Sequence, residues 1–170
     1  MKTPGFLCFR KKVLSKSIAL LSFLFFSAHL NAQNPVNFSG TWSLDNAKSS
    51  EYYKDYKIIC TIKQTPESFT IEETFLNKSG EKEGSSNFSY TLDEKVDSKE
   101  EYGGITRKFT KWSDDRKVLT TTFTTTVGEN VYGSNSSFKL SDNGLVMTVT
   151  TTDVDPSKKD TLKQVLNKNQ

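Results

Sequence analysis

Histidine and cysteine are almost missing from this sequence. The 170 residues hold one histidine, His29, and two cysteines, Cys8 and Cys60. His29 and Cys8 both fall within the first 32 residues, so the rest of the chain has no histidine and a single thiol. That removes a His-based catalytic triad and a His or Cys zinc cluster from consideration. It also removes an intramolecular disulfide, so a fold built beyond residue 32 relies on packing and hydrogen bonds. Long apolar runs are missing too. The longest uncharged apolar stretch, 17–28 (SIALLSFLFFSA), has 12 residues, and a spanning helix needs roughly 20.

That stretch has another reading. Lys2, Arg10, Lys11, Lys12 and Lys16 precede it with no acidic residue between them, and Ala32 offers a small residue after it. A basic segment, a short apolar segment and a small residue, in that order, read as a secretory signal peptide over 1–32. The expectation is cleavage after Ala32, export to the periplasm or the medium, and no retained transmembrane anchor. Cys8 precedes the apolar run rather than sitting at the cleavage point, so a lipid anchor is not expected.

The leader also carries the positive charge. The whole chain has 23 basic and 20 acidic residues, a net charge of +3. Subtracting the five basic residues of 1–32 leaves 18 against 20, a net charge of −2. No general attraction to nucleic acid or to an anionic membrane follows from that balance. Residues 33–170 suit one domain with its own core.

What is present is β-strand after β-strand. The segment 56–64 (YKIICTIKQ) is rich in β-branched residues and ends at Thr65-Pro66. The segment 69–77 alternates, with Phe69, Ile71, Glu73 and Phe75 on one face. A polar loop is expected over 78–86. The segment 87–93 puts Phe88, Tyr90 and Leu92 on one face, and a charged connection follows over 94–101. The segment 104–112 puts Ile105, Arg107 and Phe109 together. The run 117–127 (KVLTTTFTTTV) suits a pleated surface best. Strands over 131–141 and 145–152 flank Asp142-Asn143-Gly144, a hairpin signal. The segment 161–166 reads as a closing strand in preference to a short helix, and 46–55 has room for a single helical turn. About nine strands joined by tight turns, with no long amphipathic helix, predict an all-β antiparallel up-and-down barrel, within a range of 8–10 strands. Closing the sheet removes exposed edges.

The soluble part opens with NFSGTWSLD, 37–45. Glycine lets the first strand bend or another group approach, and an indole two residues later lies on the same side. Phe38-Ser39-Gly40-Thr41-Trp42 at the head of such a domain resembles the start of the lipocalin and fatty-acid-binding families. The longer string FSGTWSLDNAKS is similar to the opening of small secreted lipocalin-like proteins of bacteria. The resemblance implies a calycin barrel, with Phe38, Gly40 and Trp42 as structural anchors. It implies a basic residue from a late strand over the Trp42 ring, a place that Arg107, Lys139 or Lys163 can fill. It implies a non-catalytic protein that holds a small, mostly apolar molecule inside a monomeric barrel. No cofactor or metal is implied. The chain departs from those families in having a short first connection, which leaves no room for a helical lid, and in lacking disulfides.

Candidate ligand contacts are then Glu73, Phe75, Phe88, Tyr90, Arg107, Phe109, Phe123 and Tyr132, with Phe138 beside them. The same aromatics serve equally well as the filled core of a closed barrel that binds protein or glycan at its surface. Glu73 and Arg107 each place one charge on an apolar face, so each needs the other, water or a charged ligand. The resemblance to fatty-acid-binding proteins suggests Arg107 for a ligand carboxylate. Cys60 alternates with Ile58 and Ile62 and is expected to be a buried, inert thiol. Asp153, Asp155 and Asp160 lack the ligand ladder of a calcium loop and read as a solvated turn.

Overall fold

The computed structural model describes residues 34–155, 157–158 and 160–169. The expected leader, 1–32, lies outside the described residues. The strands are β1 (Gly40–Leu44), β2 (Lys57–Gln64), β3 (Ser68–Leu76), β4 (Lys82–Thr91) and β5 (Asp97–Glu101). They continue with β6 (Gly104–Trp112), β7 (Val118–Val127), β8 (Asn130–Leu140), β9 (Val146–Asp153) and β10 (Thr161–Lys168). A single 3₁₀ turn, Glu51–Tyr53, sits between β1 and β2.

All strand pairs are antiparallel, and the order in the sheet is β4-β3-β2-β1-β10-β9-β8-β7-β6-β5. The sequence order is therefore up-and-down, with the sheet wrapped so that β1 joins β10 through Trp42 opposite Lys168. The far ends of the sheet approach where β4 meets β6. No backbone ladder joins them there. Thr110 Oγ1 donates to the Thr91 carbonyl at 2.7 Å, and the Trp112 amide donates to Glu94 Oε1 at 3.4 Å. This is the expected all-β barrel, with ten strands and a nearly closed wall.

The inward set follows the period of two. Ile58, Cys60 and Ile62 of β2, Phe69 and Ile71 of β3, Leu119 and Thr121 of β7, and Met147 and Val149 of β9 are all buried. One end of the barrel is packed solid. Phe38 is fully buried there, stacked on Trp112 with ring centroids 6.1 Å apart and edge-on to Phe69 and Phe138. The segment before β1 crosses this end and is tied down. Val36 N donates to Arg116 O at 3.1 Å, and Gln64 bonds both Val36 O (2.9 Å) and Phe38 N (3.0 Å).

Several boundaries differ from the sequence reading. The expected loop over 78–86 is largely β4, which starts at Lys82. The expected charged connection holds β5, whose five residues DSKEE present no apolar face and are almost all exposed. Such a strand carries no alternation to detect, and its charges suit an edge. The closing strand is present, and it runs two residues past 166 to Lys168.

The face assigned to β6 is inverted. Thr106, Thr110 and Trp112 are the buried residues, 2%, 1% and 7% exposed, whereas Ile105 is 45% exposed and Arg107 also lies outward. The register explains the inversion. Trp112 pairs with the fully buried Leu119, and Thr110 pairs with the buried Thr121. Trp112 must enter the packed end, so every odd-numbered residue from Ile105 to Lys111 turns away from the interior.

Candidate functional site

Above the packed end the barrel is hollow. A cavity of about 220 Å³ lies between β2, β3, β4 and β7–β10, roofed in part by Tyr53 from the 3₁₀ turn. Its floor and sides are apolar, from Ile71, Phe88, Phe123, Phe138, Val149 and Leu166. Its upper wall is polar, from Ser134, Ser136, Thr151 and Gln164. This gradient follows from strand direction. On β8, β9 and β10 the apolar inward residue lies at the packed end and the polar one a step or two above it. Ser136 and Thr151 share a hydrogen bond of 2.9 Å between their hydroxyls.

Glu73 is the one charged residue in the wall. Its neighbours on β2 and β4 are Cys60 and Ser86. Ser86 Oγ donates to Glu73 Oε2 at 3.2 Å. No Lys or Arg among the described residues forms an ion pair with Glu73. Burial pushes the Cys60 thiol up to about 12, and the negative charge of Glu73 adds to the push. Burial likewise pushes the Tyr53 phenol up to about 12, with Glu73 again second. The Tyr90 phenol is raised by burial, held back by a hydrogen bond with Thr121, and raised further by Glu73.

The structure thus brings together Glu73, Phe88, Tyr90, Phe123 and Phe138 of the residues singled out in the sequence. Phe88 and Phe123 meet edge to face with centroids 6.4 Å apart. Phe75 shares the inward face of β3 and is half-buried, but it stands above the cavity. Arg107, Phe109 and Tyr132 do not reach the cavity. Arg107 is exposed on the outer face, with Nη1 3.4 Å from Thr126 Oγ1. Phe109 is half-buried on that face, opposite Thr122. Tyr132 stands at the β7–β8 rim and is 55% exposed. An interior arginine facing a ligand carboxylate is therefore corrected to an exterior one, for the register reason given above.

Tyr53, Thr121, Ser134, Ser136, Thr151 and Gln164 also line the cavity and are not among the sequence candidates. Small polar residues on strands give no signal by themselves. Only Thr121, Ser134 and Ser136, each two residues from Phe123, Tyr132 or Phe138, could have been placed by alternation.

The opening motif occupies the closed end. Trp42 is fully buried, and its Nε1 donates to the Phe38 carbonyl at 3.1 Å. The cation over its ring is Lys168, with Nζ 5.3 Å from the centroid, and not Arg107, Lys139 or Lys163. Lys168 lies beyond the expected strand 161–166, in the two residues by which β10 exceeds it. Gly40 has φ +146°, and a β-carbon there would stand 3.0 Å from Lys168 Cε.

Among the described residues no group of three His, Cys, Asp or Glu side chains could hold a metal ion, and no helix is long and apolar enough to cross a membrane. No protein-family model matches the chain, and no curated protein matches it. Solved structures do. One is described as the REP1-NXSQ fatty acid transporter, with a TM-score of 0.53, 13% identity, and coverage of 78% of this chain and 96% of that one. Another is secretory abundant heat soluble protein 4 from Ramazzottius varieornatus, with a TM-score of 0.52, 11% identity, and coverage of 82% and 100%. At these identities the likeness is one of fold, that of the fatty-acid-binding and calycin barrels.

Proposed function

We propose that this is an exported, monomeric, non-catalytic barrel, processed after Ala32, that binds a small and mostly apolar molecule in its interior. The observation that carries the reading is the cavity of about 220 Å³, apolar below and polar above. A small-molecule site has that composition: an apolar body contact with a few placed polar groups. The printed title of one similar structure names a fatty acid transporter, which agrees with interior binding as a use of the fold. The volume is modest, so the ligand is compact. The single 3₁₀ turn at the mouth leaves entry to the motion of Tyr53 and its neighbours rather than to a helical lid.

Native mass spectrometry of the protein purified from its own host is the direct test. A small molecule that stays bound in the wild type, and is lost when Ser136→Phe fills the cavity, supports the reading. A wild-type protein with no bound molecule, and no uptake of a compact apolar fluorophore, overturns it.

A second reading has one observation of its own. Tyr52 and Tyr56 stack with centroids 5.6 Å apart, and both are exposed beside an open depression of about 760 Å³. Exposed stacked rings suit a glycan or a protein partner. Binding lost in Tyr52→Ala and Tyr56→Ala, but kept in Ser136→Phe, would select that surface.

A further inference from the structure

Among the described residues, the cavity is lined by a carboxylate and by no cation. Glu73 is its one charged lining residue, and its only hydrogen-bond partner among the described side chains is the Ser86 hydroxyl at 3.2 Å. Ser86 supplies a single donor, whereas a carboxylate accepts about four. The outward turn of Arg107 removes the one arginine that the sequence offered as its counter-ion. Phe88, Phe123, Tyr53 and Tyr90 line the same cavity as Glu73. Aromatic faces carry the negative end of the ring quadrupole, so a cation lying on the face of one of these rings would add to the preference that the carboxylate sets. The charge of Glu73 is felt across the cavity, since it raises the pKa of three acids on its walls.

A ligand carboxylate placed here would meet like charge and no positive group. A protonated amine would meet a carboxylate, aromatic rings, and the hydroxyls of Ser136 and Thr151 for its remaining N–H bonds. Size narrows the class further. An apolar cavity of roughly 150 Å³ takes a benzene, so about 220 Å³ takes a ring with a short aminoalkyl arm and excludes a long acyl chain.

We infer that the barrel selects a compact organic cation, an amine with an aromatic or alicyclic body, with Glu73 as its counter-ion. The inference rests on the reading of the interior as a ligand site and names the ligand class for it. It runs against the acid selectivity that the fold likeness alone would suggest.

Three probes that share a phenylethyl body test it by isothermal titration against the full-length mature protein: 2-phenylethylamine, 2-phenylethanol and 3-phenylpropionate. The amine should bind about 10–100-fold more tightly than the alcohol, the range that a hydrogen bond to a charged group supplies, and the carboxylate should bind weakest. Glu73→Gln should erase the amine's advantage over the alcohol while leaving the alcohol's affinity within about threefold. The wild-type ranking stands as a test even if the variant folds poorly, which its melting curve would show. A carboxylate that binds as tightly as the amine, or an amine preference that survives Glu73→Gln, overturns the cation assignment while leaving interior binding intact. Failure of all three probes to bind, together with an empty native mass spectrum, overturns both.

Discussion

Lys168 lies over the indole of Trp42, 126 residues away in sequence, with its Nζ 5.3 Å from the ring centroid. The two residues are cross-strand partners where β1 meets β10. Gly40, on the same side of β1, lets the lysine stem pass. A β-carbon at Gly40 would press on Lys168 Cε at 3.0 Å, and φ is +146°, a region that side chains avoid.

Gly40→Ala should therefore destabilise the barrel by about 1–3 kcal/mol, read from urea unfolding. Adding Lys168→Ala should relieve the contact and leave the backbone strain. A double variant restored to wild-type stability would show that the contact was the whole effect and that the φ argument is wrong.

Trp42→Phe should cost about 1–3 kcal/mol from the Phe38 carbonyl left without its donor, before any loss of packing. Only two tryptophans are present, so Trp112 fluorescence can report unfolding in the variant. A loss under about 0.5 kcal/mol, the range of ordinary surface changes, would mean that the Nε1 bond has no structural weight.

The interior of β6 yields a sharper test. Thr106 and Thr125 share a buried hydroxyl–hydroxyl hydrogen bond of 3.0 Å. Thr106→Val alone should cost roughly 1–3 kcal/mol by stranding the partner hydroxyl, whereas Thr106→Val with Thr125→Val should come near neutral. Arg107→Leu, on the opposite face, should change stability by less than about 0.5 kcal/mol and leave ligand affinity unchanged. Equal effects at 106 and 107 would contradict the register.

That strand also shows where sequence reasoning stops. Apolar residues occupy both phases of β6, with Ile105 and Phe109 in one and Trp112 in the other. Alternation alone cannot choose between them. The choice is made by pairing with Leu119 and Thr121, which is tertiary information. The faces of β2, β3 and β4 were legible because most of the large apolar residues of each share one phase, with Ile59 on β2 and Leu76 on β3 as the exceptions. The strand β5 was invisible because it buries nothing. The closed end was legible from Phe38-x-Gly-x-Trp42, but its cation was not, because one boundary fell two residues short. Of the cavity, Glu73 and the strand aromatics could be read from the sequence, whereas Tyr53 and the hydroxyls out of reach of an aromatic's alternation could not.

Alkaline pH should weaken the fold. The neutral forms of Cys60, Tyr53 and Tyr90 are favoured in the folded barrel, so above the ordinary values of these acids the unfolded chain binds fewer protons than the native one. Stability should be level below about pH 9 and fall progressively towards pH 12, following the raised thiol and phenols. Urea midpoints at pH 8, 10 and 11 measure this. Cys60→Ala should shallow the early part of the fall, and Glu73→Gln should shallow all of it, since its charge adds to each shift. A midpoint that stays flat from pH 8 to 11 would contradict the assignment.

The same thiol should be silent to alkylation. At pH 8 a thiol of pKa about 12 is ionised in about one molecule in ten thousand, and Cys60 is 3% exposed. Iodoacetamide should label it only in urea. Rapid labelling of the native protein would place Cys60 in a different environment.

The join of β1 to β10 also sets the order in which the molecule can assemble. Trp42 pairs with Lys168, and Ser43 Oγ donates to Asn169 Oδ1 at 2.8 Å, so the first strand stays without its second neighbour until the tenth has been made. Hairpins from β2 to β9 can zip locally as they emerge. Wrapping them into a barrel must wait for the last few residues, because loop closure over more than a hundred residues comes before its reward. A nascent chain lacking those residues would hold its aromatics in an open, curled sheet. Pairing of β10 with β1, rather than the formation of any earlier hairpin, is then the step after which the protein becomes resistant to proteases.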